Sequence, residues 1–180
     1  PYGEISNSYG SFNTLKNTIK LGTGLIDGKW NFEGRLSRLN SDGFIDRAYS
    51  DLNSYYLSGS YLGEKTSIQA VVFYGHEKTY QAWEGTPLQV LDTNKTFNPY
   101  TYDNQIDNYR QTHYQLHFTN KPSKRLKLNA SLHYTRGFGY YESYKEDDSL
   151  SDYNLNNIVY TFPLDTLEIS TSDIISRKLL

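Results

Sequence analysis

Apolar and polar residues alternate along several stretches of about ten residues in this chain. Ile68, Ala70, Val72 and Tyr74 fall on one side of one stretch, Leu116 and Phe118 on one side of another, and Leu126, Leu128, Ala130, Leu132 and Tyr134 on one side of a third. Successive side chains of a strand point to opposite faces, so each stretch builds one apolar and one polar wall. A tilted strand of about ten residues is also the length that crosses the hydrocarbon core of a bilayer. The pattern confines the chain to sheet-based folds and admits the wall of a transmembrane barrel.

The spacing predicts strands near 2–9, 14–24, 29–39, 52–62, 66–78, 109–119 and 126–136, with another beginning within 170–180. The connections alternate in length. Turns near 25–29, 63–65 and 120–125 are short, the first marked by Asp27-Gly28 and the last by Pro122. The segments 40–51, 79–108 and 137–173 are long and lack clear periodicity. Loops of such length are uncommon in compact soluble domains but normal on the outer rim of a barrel, opposite short periplasmic turns. The tight connection at 10–13 belongs to the same outer rim. The expected fold is all-β: an antiparallel up-and-down transmembrane β-barrel segment occupying 1–180, with long outer loops.

Composition fits this reading. Of 180 residues, 18 are Tyr, 8 Phe and 2 Trp, and an amphipathic ring suits a water–lipid boundary. No run of 18 apolar residues is present, which excludes a helical span but not a barrel, where only every second residue meets lipid. The net charge of −2 implies no general surface for nucleic acid, and the lack of Cys rules out a disulfide framework and thiolate chemistry. The absence of Met is consistent with a segment of a longer protein.

The stretches SYGSFNTLKNTIKLGTG, SRLNSDGFIDRAYSDLNSYYLSGSY, FYGHEKTYQAWEGTP, YDNQIDNYRQTHYQLHF and YYESYKEDDSLSDYNL resemble TonB-dependent outer-membrane receptors of the Bacteroidetes type. The first is similar to the opening barrel strands that follow the plug domain. The resemblance implies a barrel of about twenty-two strands around a plug, of which this chain would supply about seven or eight strands. It implies uptake of a scarce nutrient (an iron chelate, haem, cobalamin or similar) across the outer membrane of a Gram-negative bacterium. Implied partners are membrane lipid, the plug and remaining barrel strands, the TonB complex through that plug, an outer-surface lipoprotein and the small-molecule nutrient. Plug and closing strands would lie outside this segment.

On the polar faces, Lys16, Lys20, Glu33, Arg35, Gln69, Gln115 and Lys127 are expected to line the lumen or touch the plug. On the apolar faces, Ile19, Leu21, Phe32, Leu36, Ile68, Val72, Leu116, Phe118, Leu128 and Leu132 are expected to meet lipid. Tyr80, Trp83, Tyr100 and Tyr102 in one long connection, and Tyr140, Tyr141 and Tyr144 in the next, offer stacking faces for a ring-bearing or apolar ligand.

Metal ligation has thinner support. Pairing Phe118 with Leu128 would set His113 opposite His133, yet two ligands are few for a tight site, and a wet lumen wall accounts for both residues. The run Glu142, Glu146, Asp147, Asp148 and Asp152 is dense enough in oxygen for calcium but lacks the glycine and spacing of an EF-hand. No cofactor and no catalysis are expected, since neither a GxSxG elbow, an HExxH helix nor a glycine-rich phosphate loop occurs. The competing reading is a soluble or surface-exposed β-rich carbohydrate-binding module using Tyr80, Trp83 and Tyr102. It requires Ile68 and Leu116 to be buried against a second sheet.

Overall fold

The computed structural model describes residues 1–180. Eight strands form one antiparallel sheet: β1 (Tyr2–Gly10), β2 (Thr14–Gly22), β3 (Trp30–Ser41), β4 (Ser50–Leu62), β5 (Thr66–Tyr80), β6 (Ile106–Ser123), β7 (Leu126–Ser149) and β10 (Thr171–Leu179). They lie side by side in chain order, up and down. Two short strands, β8 (Ile158–Phe162) and β9 (Asp165–Ile169), form a separate hairpin inside the β7–β10 connection. A four-residue helix, α1 (Leu88–Leu91), lies in the β5–β6 loop. The sheet does not close: β1 pairs only with β2, and β10 only with β7.

Local chemistry sets the turns. Asp27 and Gly28 both take left-handed φ values, 50° and 68°, the consecutive pair that folds two strands back with matching twist. Phe12 and Asn13 do the same at 57° and 51°, an unusual demand on a bulky side chain. The Phe12 ring packs edge-on against Phe44 at 5.6 Å, and Asn13 donates to Asp42 at 2.6 Å, so the β3–β4 loop holds this turn in place.

The long strands depart from the sequence expectation. Pairing carries β6 through Pro122 to Ser123, so the turn consists of Lys124 and Arg125. Pro122 has no N–H to give, and the ladder slips there between Asn120 and Ser123. The segment after 136, expected to be an irregular loop, continues β7 to Ser149 because β6 pairs with it as far as Tyr141 and β10 from Tyr140 to Ser149. The outer connections therefore shrink to 42–49, 81–105 and 150–170.

The ten apolar residues expected to share a face do so, and the seven polar ones occupy the other. Nothing covers the apolar face: Ile5, Leu36, Leu57 and Leu132 are all more than half exposed. Thr18, Ser58 and Val71 on the polar face are buried, although no second layer lies over them either. Crowding on one face and exposure on the other is what a sheet curled toward its polar side produces. The greasy face is thus the outside of the curve.

Candidate functional site: the outer loop cluster and the two sheet faces

The β5–β6 loop folds down onto the extended ends of β7 and β10, and Glu142 is the centre of that contact. Its side chain is 3 % exposed. It accepts from the Tyr102 hydroxyl at 2.6 Å, from Asn104 Nδ2 at 2.7 Å and from Arg177 Nε at 2.6 Å. Burial pushes the Glu142 carboxyl up, but hydrogen bonds from Tyr102, Asn104 and Arg177, with the Arg177 charge, outweigh it and hold the group below its ordinary value. This carboxylate stands eight residues beyond Tyr134, well outside the apolar band.

Buried amides seal the base of the loop. Gln81 donates to the carbonyls of Ile106 and Glu142 at 3.1 and 3.0 Å. Asn98 donates to those of Asp46 and Gln81 at 2.9 and 3.0 Å, and Arg47 donates to those of Tyr100 and Asn98 at 2.8 and 2.7 Å. None of Gln81, Asn98 or Gln105 stands out in the sequence, and Glu142 does so only as one of an acidic run, because a polar residue in a polar loop carries no local sign that it will be buried.

Most of the aromatic residues expected to meet a ligand are used in holding this cluster together. Tyr80 is buried and donates its hydroxyl to the Tyr102 carbonyl at 2.9 Å, which makes it a peg of the loop and corrects its expected role as a stacking face. Tyr102 is committed to Glu142, and its ring lies 6.0 Å from that of Tyr144. Tyr100 donates to Glu84 at 3.1 Å. Tyr140 lies under the Arg177 guanidinium at 4.5 Å. Trp83 remains 58 % exposed, set edge-on to Tyr141 at 5.6 Å with the Lys178 ammonium over the Tyr141 ring. The free stacking surface of the loop is therefore Trp83 with Tyr141, beside one cation.

The acidic run gathers no metal site. Glu142 is spent as described, Asp148 accepts from Tyr153 at 2.7 Å, and no group of three or more ligating side chains converges anywhere. Asp147, at φ 49°, belongs to a bend of the strand.

On the polar face, an open hollow of about 660 Å³ is bounded by Lys16, Arg35, Phe73, Glu77, Tyr109 and His113. The expected pairing of His113 with His133 is off by one step of two residues: Phe118 faces Ala130, Gln115 faces His133 and His113 faces Thr135. The two histidines meet on the diagonal instead, Nδ1 to Nε2 at 3.3 Å.

The apolar face carries a band with defined borders. Trp30, Phe32 and Tyr61 cluster at the turn end, with Trp30 and Tyr61 centroids 4.9 Å apart. Tyr55 with Tyr74, at 5.0 Å, and Tyr114 with Tyr134, at 6.1 Å, mark the loop end. Beyond them the same face turns polar through Arg38, Asn53, His76, Arg110 and Arg136. Between β3 and β5 the band keeps to the hydrogen-bond rows, Leu36–Tyr55–Tyr74 at one border and Trp30–Tyr61–Ile68 at the other, and it departs from them toward β2 and β7. On β2 it runs from Leu15 to Leu21, whose rows lead across the sheet to Tyr140 and Tyr134 of β7. On β7 it runs instead from Tyr134 to Leu128, with Leu126 beyond it at the turn. Both borders have slipped by six residues in five strand-to-strand steps. Rises of about 3.3 Å per residue and spacings of about 4.8 Å between strands convert this to a net inclination of roughly 40° between the β2 and β7 ends of the band.

Comparison of the chain with protein-family models, with curated proteins and with solved structures returns no match.

Proposed function

We propose that this chain is a wall segment of an outer-membrane β-barrel of the TonB-dependent receptor type. The uncovered convex face meets lipid, and the outer loops receive a scarce nutrient. The observation that carries the reading is the slant of the apolar band. Strands of a closed barrel tilt by about 35–45° to its axis, so a level slab of lipid must cross successive strands at shifting register. The net slip of six residues over the five strand-to-strand steps from β2 to β7 corresponds to such a tilt. A row of aromatic rings at each border is the second support, since such rings favour the headgroup boundary.

In this reading, the free edges of β1 and β10 are completed by further strands, because an open edge inside hydrocarbon would leave backbone groups without partners. The plug, the TonB contact and a lipoprotein cap belong to the same proposal. At the mouth, Trp83 and Tyr141 beside Lys178 suit a flat, electron-rich and anionic nutrient better than a neutral sugar.

The two tryptophans test the lipid-facing assignment. Trp30 sits on the band border and Trp83 in the outer loop. The full chain is reconstituted in vesicles whose acyl chains carry bromine. Trp83→Phe leaves an emission from Trp30 that is quenched several-fold, and Trp30→Phe leaves an emission from Trp83 that is not quenched. Equal quenching of both, or a chain that stays dispersed in buffer and ignores the vesicles, defeats the reading in favour of the soluble module.

A further inference from the structure

The ring centroids of His113 and His133 are 5.6 Å apart, while the facing nitrogens are 3.3 Å apart. The difference is what two imidazole radii supply when both nitrogens lie on the line joining the centroids. The ring planes differ by 6°. Two rings that share that line and are nearly parallel are coplanar, so these imidazoles meet head to head rather than face to face.

The tautomer of one ring is set by its neighbours. Gln111 donates Nε2–H to the Tyr109 hydroxyl at 3.0 Å, and its Oε1 accepts from His113 Nε2 at 2.9 Å. The proton of His113 therefore sits on Nε2, and its Nδ1 points a bare lone pair at His133. Phe73 stacks on the His113 ring at 4.4 Å and fixes its plane. Thr135 Oγ1 lies 2.9 and 2.8 Å from the two facing nitrogens and braces both. His117 faces no second imidazole: one of its nitrogens meets Ser131 and the other Gln115.

We infer that His113 and His133 form a two-coordinate site for a monovalent d10 cation, Cu(I), on the polar face of the sheet. Two neutral imidazoles in line are a ligand set that such an ion, with no ligand-field demand for more, accepts. Zinc needs four ligands in a tetrahedron, and no third ligating side chain is near. A metal–imidazole bond of about 2 Å places the nitrogens of a linear site about 4 Å apart, so the rings part by under about 1 Å from their present 3.3 Å. The proton on His133 Nε2 moves to Nδ1 of the same ring, and the ion binds without changing oxidation state. Gln111 acts as the outer partner that keeps His113 in the ligating tautomer. The site lies on the polar face and is independent of what meets the apolar one.

The full chain in detergent micelles, kept anaerobic with ascorbate, is titrated with Cu(I) against a coloured competing chelator. It takes up one equivalent, and His113→Gln or His133→Gln weakens uptake at least tenfold while His117→Gln leaves it unchanged. Cu(I) is diamagnetic, so the imidazole resonances of His113 and His133 in the unaltered chain must shift, with those of His76 and His117 in place. Zn(II) at the same concentration moves none of them. Failure to take up Cu(I), uptake insensitive to both substitutions, or shifts spread over all four histidines overturns the inference.

Discussion

Ile19 and Thr112 lie on the same face and in one continuous hydrogen-bond row, Ile19–Leu36–Tyr55–Tyr74–Thr112–Arg136. A slanted lipid band treats them differently. Ile19 stands between Leu15 and Leu21, inside the band on β2. Thr112 stands beyond Tyr114, outside the band on β6 and facing Arg136. Arginine on the lipid face costs about 2–4 kcal/mol at the bilayer midplane and about 0–1 kcal/mol near its borders. Ile19→Arg should therefore destabilise the inserted chain by about 2–4 kcal/mol. Thr112→Arg should cost about 0–1 kcal/mol, with a few tenths added by the like charge opposite. Reversible urea unfolding from vesicles, followed through tryptophan emission, measures both. The expected midpoint shift is large for Ile19→Arg and small for Thr112→Arg, with no change in slope. Equal losses would mean that the apolar surface follows the rows, as the floor of a second protein layer could, and would refute the tilt argument.

Four further outcomes follow from particular contacts. Leu116→Arg, in the middle of the band, should block membrane assembly, whereas Gln115→Arg on the polar face should be tolerated; vesicle flotation reports both. Arg177→Ala removes one of three partners of a buried carboxylate and should loosen the 81–105 loop, read as faster amide exchange at Gln81 and Gln105. Because the folded Glu142 carboxyl is held below its ordinary value, its contribution is present above the unfolded value of about 4.3 and lost as pH falls through the lower folded one. Protection of the loop should thus persist at pH 5–7 and collapse only in stronger acid, and Glu142→Gln should flatten that acid dependence. Gly43 holds φ 78° with the Ala48 carbonyl where a Cβ would stand, so Gly43→Ala should open the β3–β4 loop and speed proteolysis there, leaving the strands intact.

Alternation made the faces legible without coordinates. A period of two depends only on the trans peptide and on where each Cβ points, so Ile68 with Val72, Leu116 with Phe118, and Leu128 with Leu132 each had to share a side of their own strand. The turn at Asp27-Gly28 was legible for a similar reason, since its residues tolerate the backbone it needs. What tertiary structure decided lies across strands. Register put His113 diagonal to His133 and revealed the slant of the band, and neither follows from one strand read alone. β10 extended β7 through a stretch with no apolar rhythm, because backbone pairing does not require one. The loop's return buried Glu142 and turned Tyr80 from an exposed ring into a peg. Burial of a polar residue depends on partners distant in the chain, here from residue 81 to residue 177, whereas local sequence governs only the direction in which a side chain leaves its own backbone.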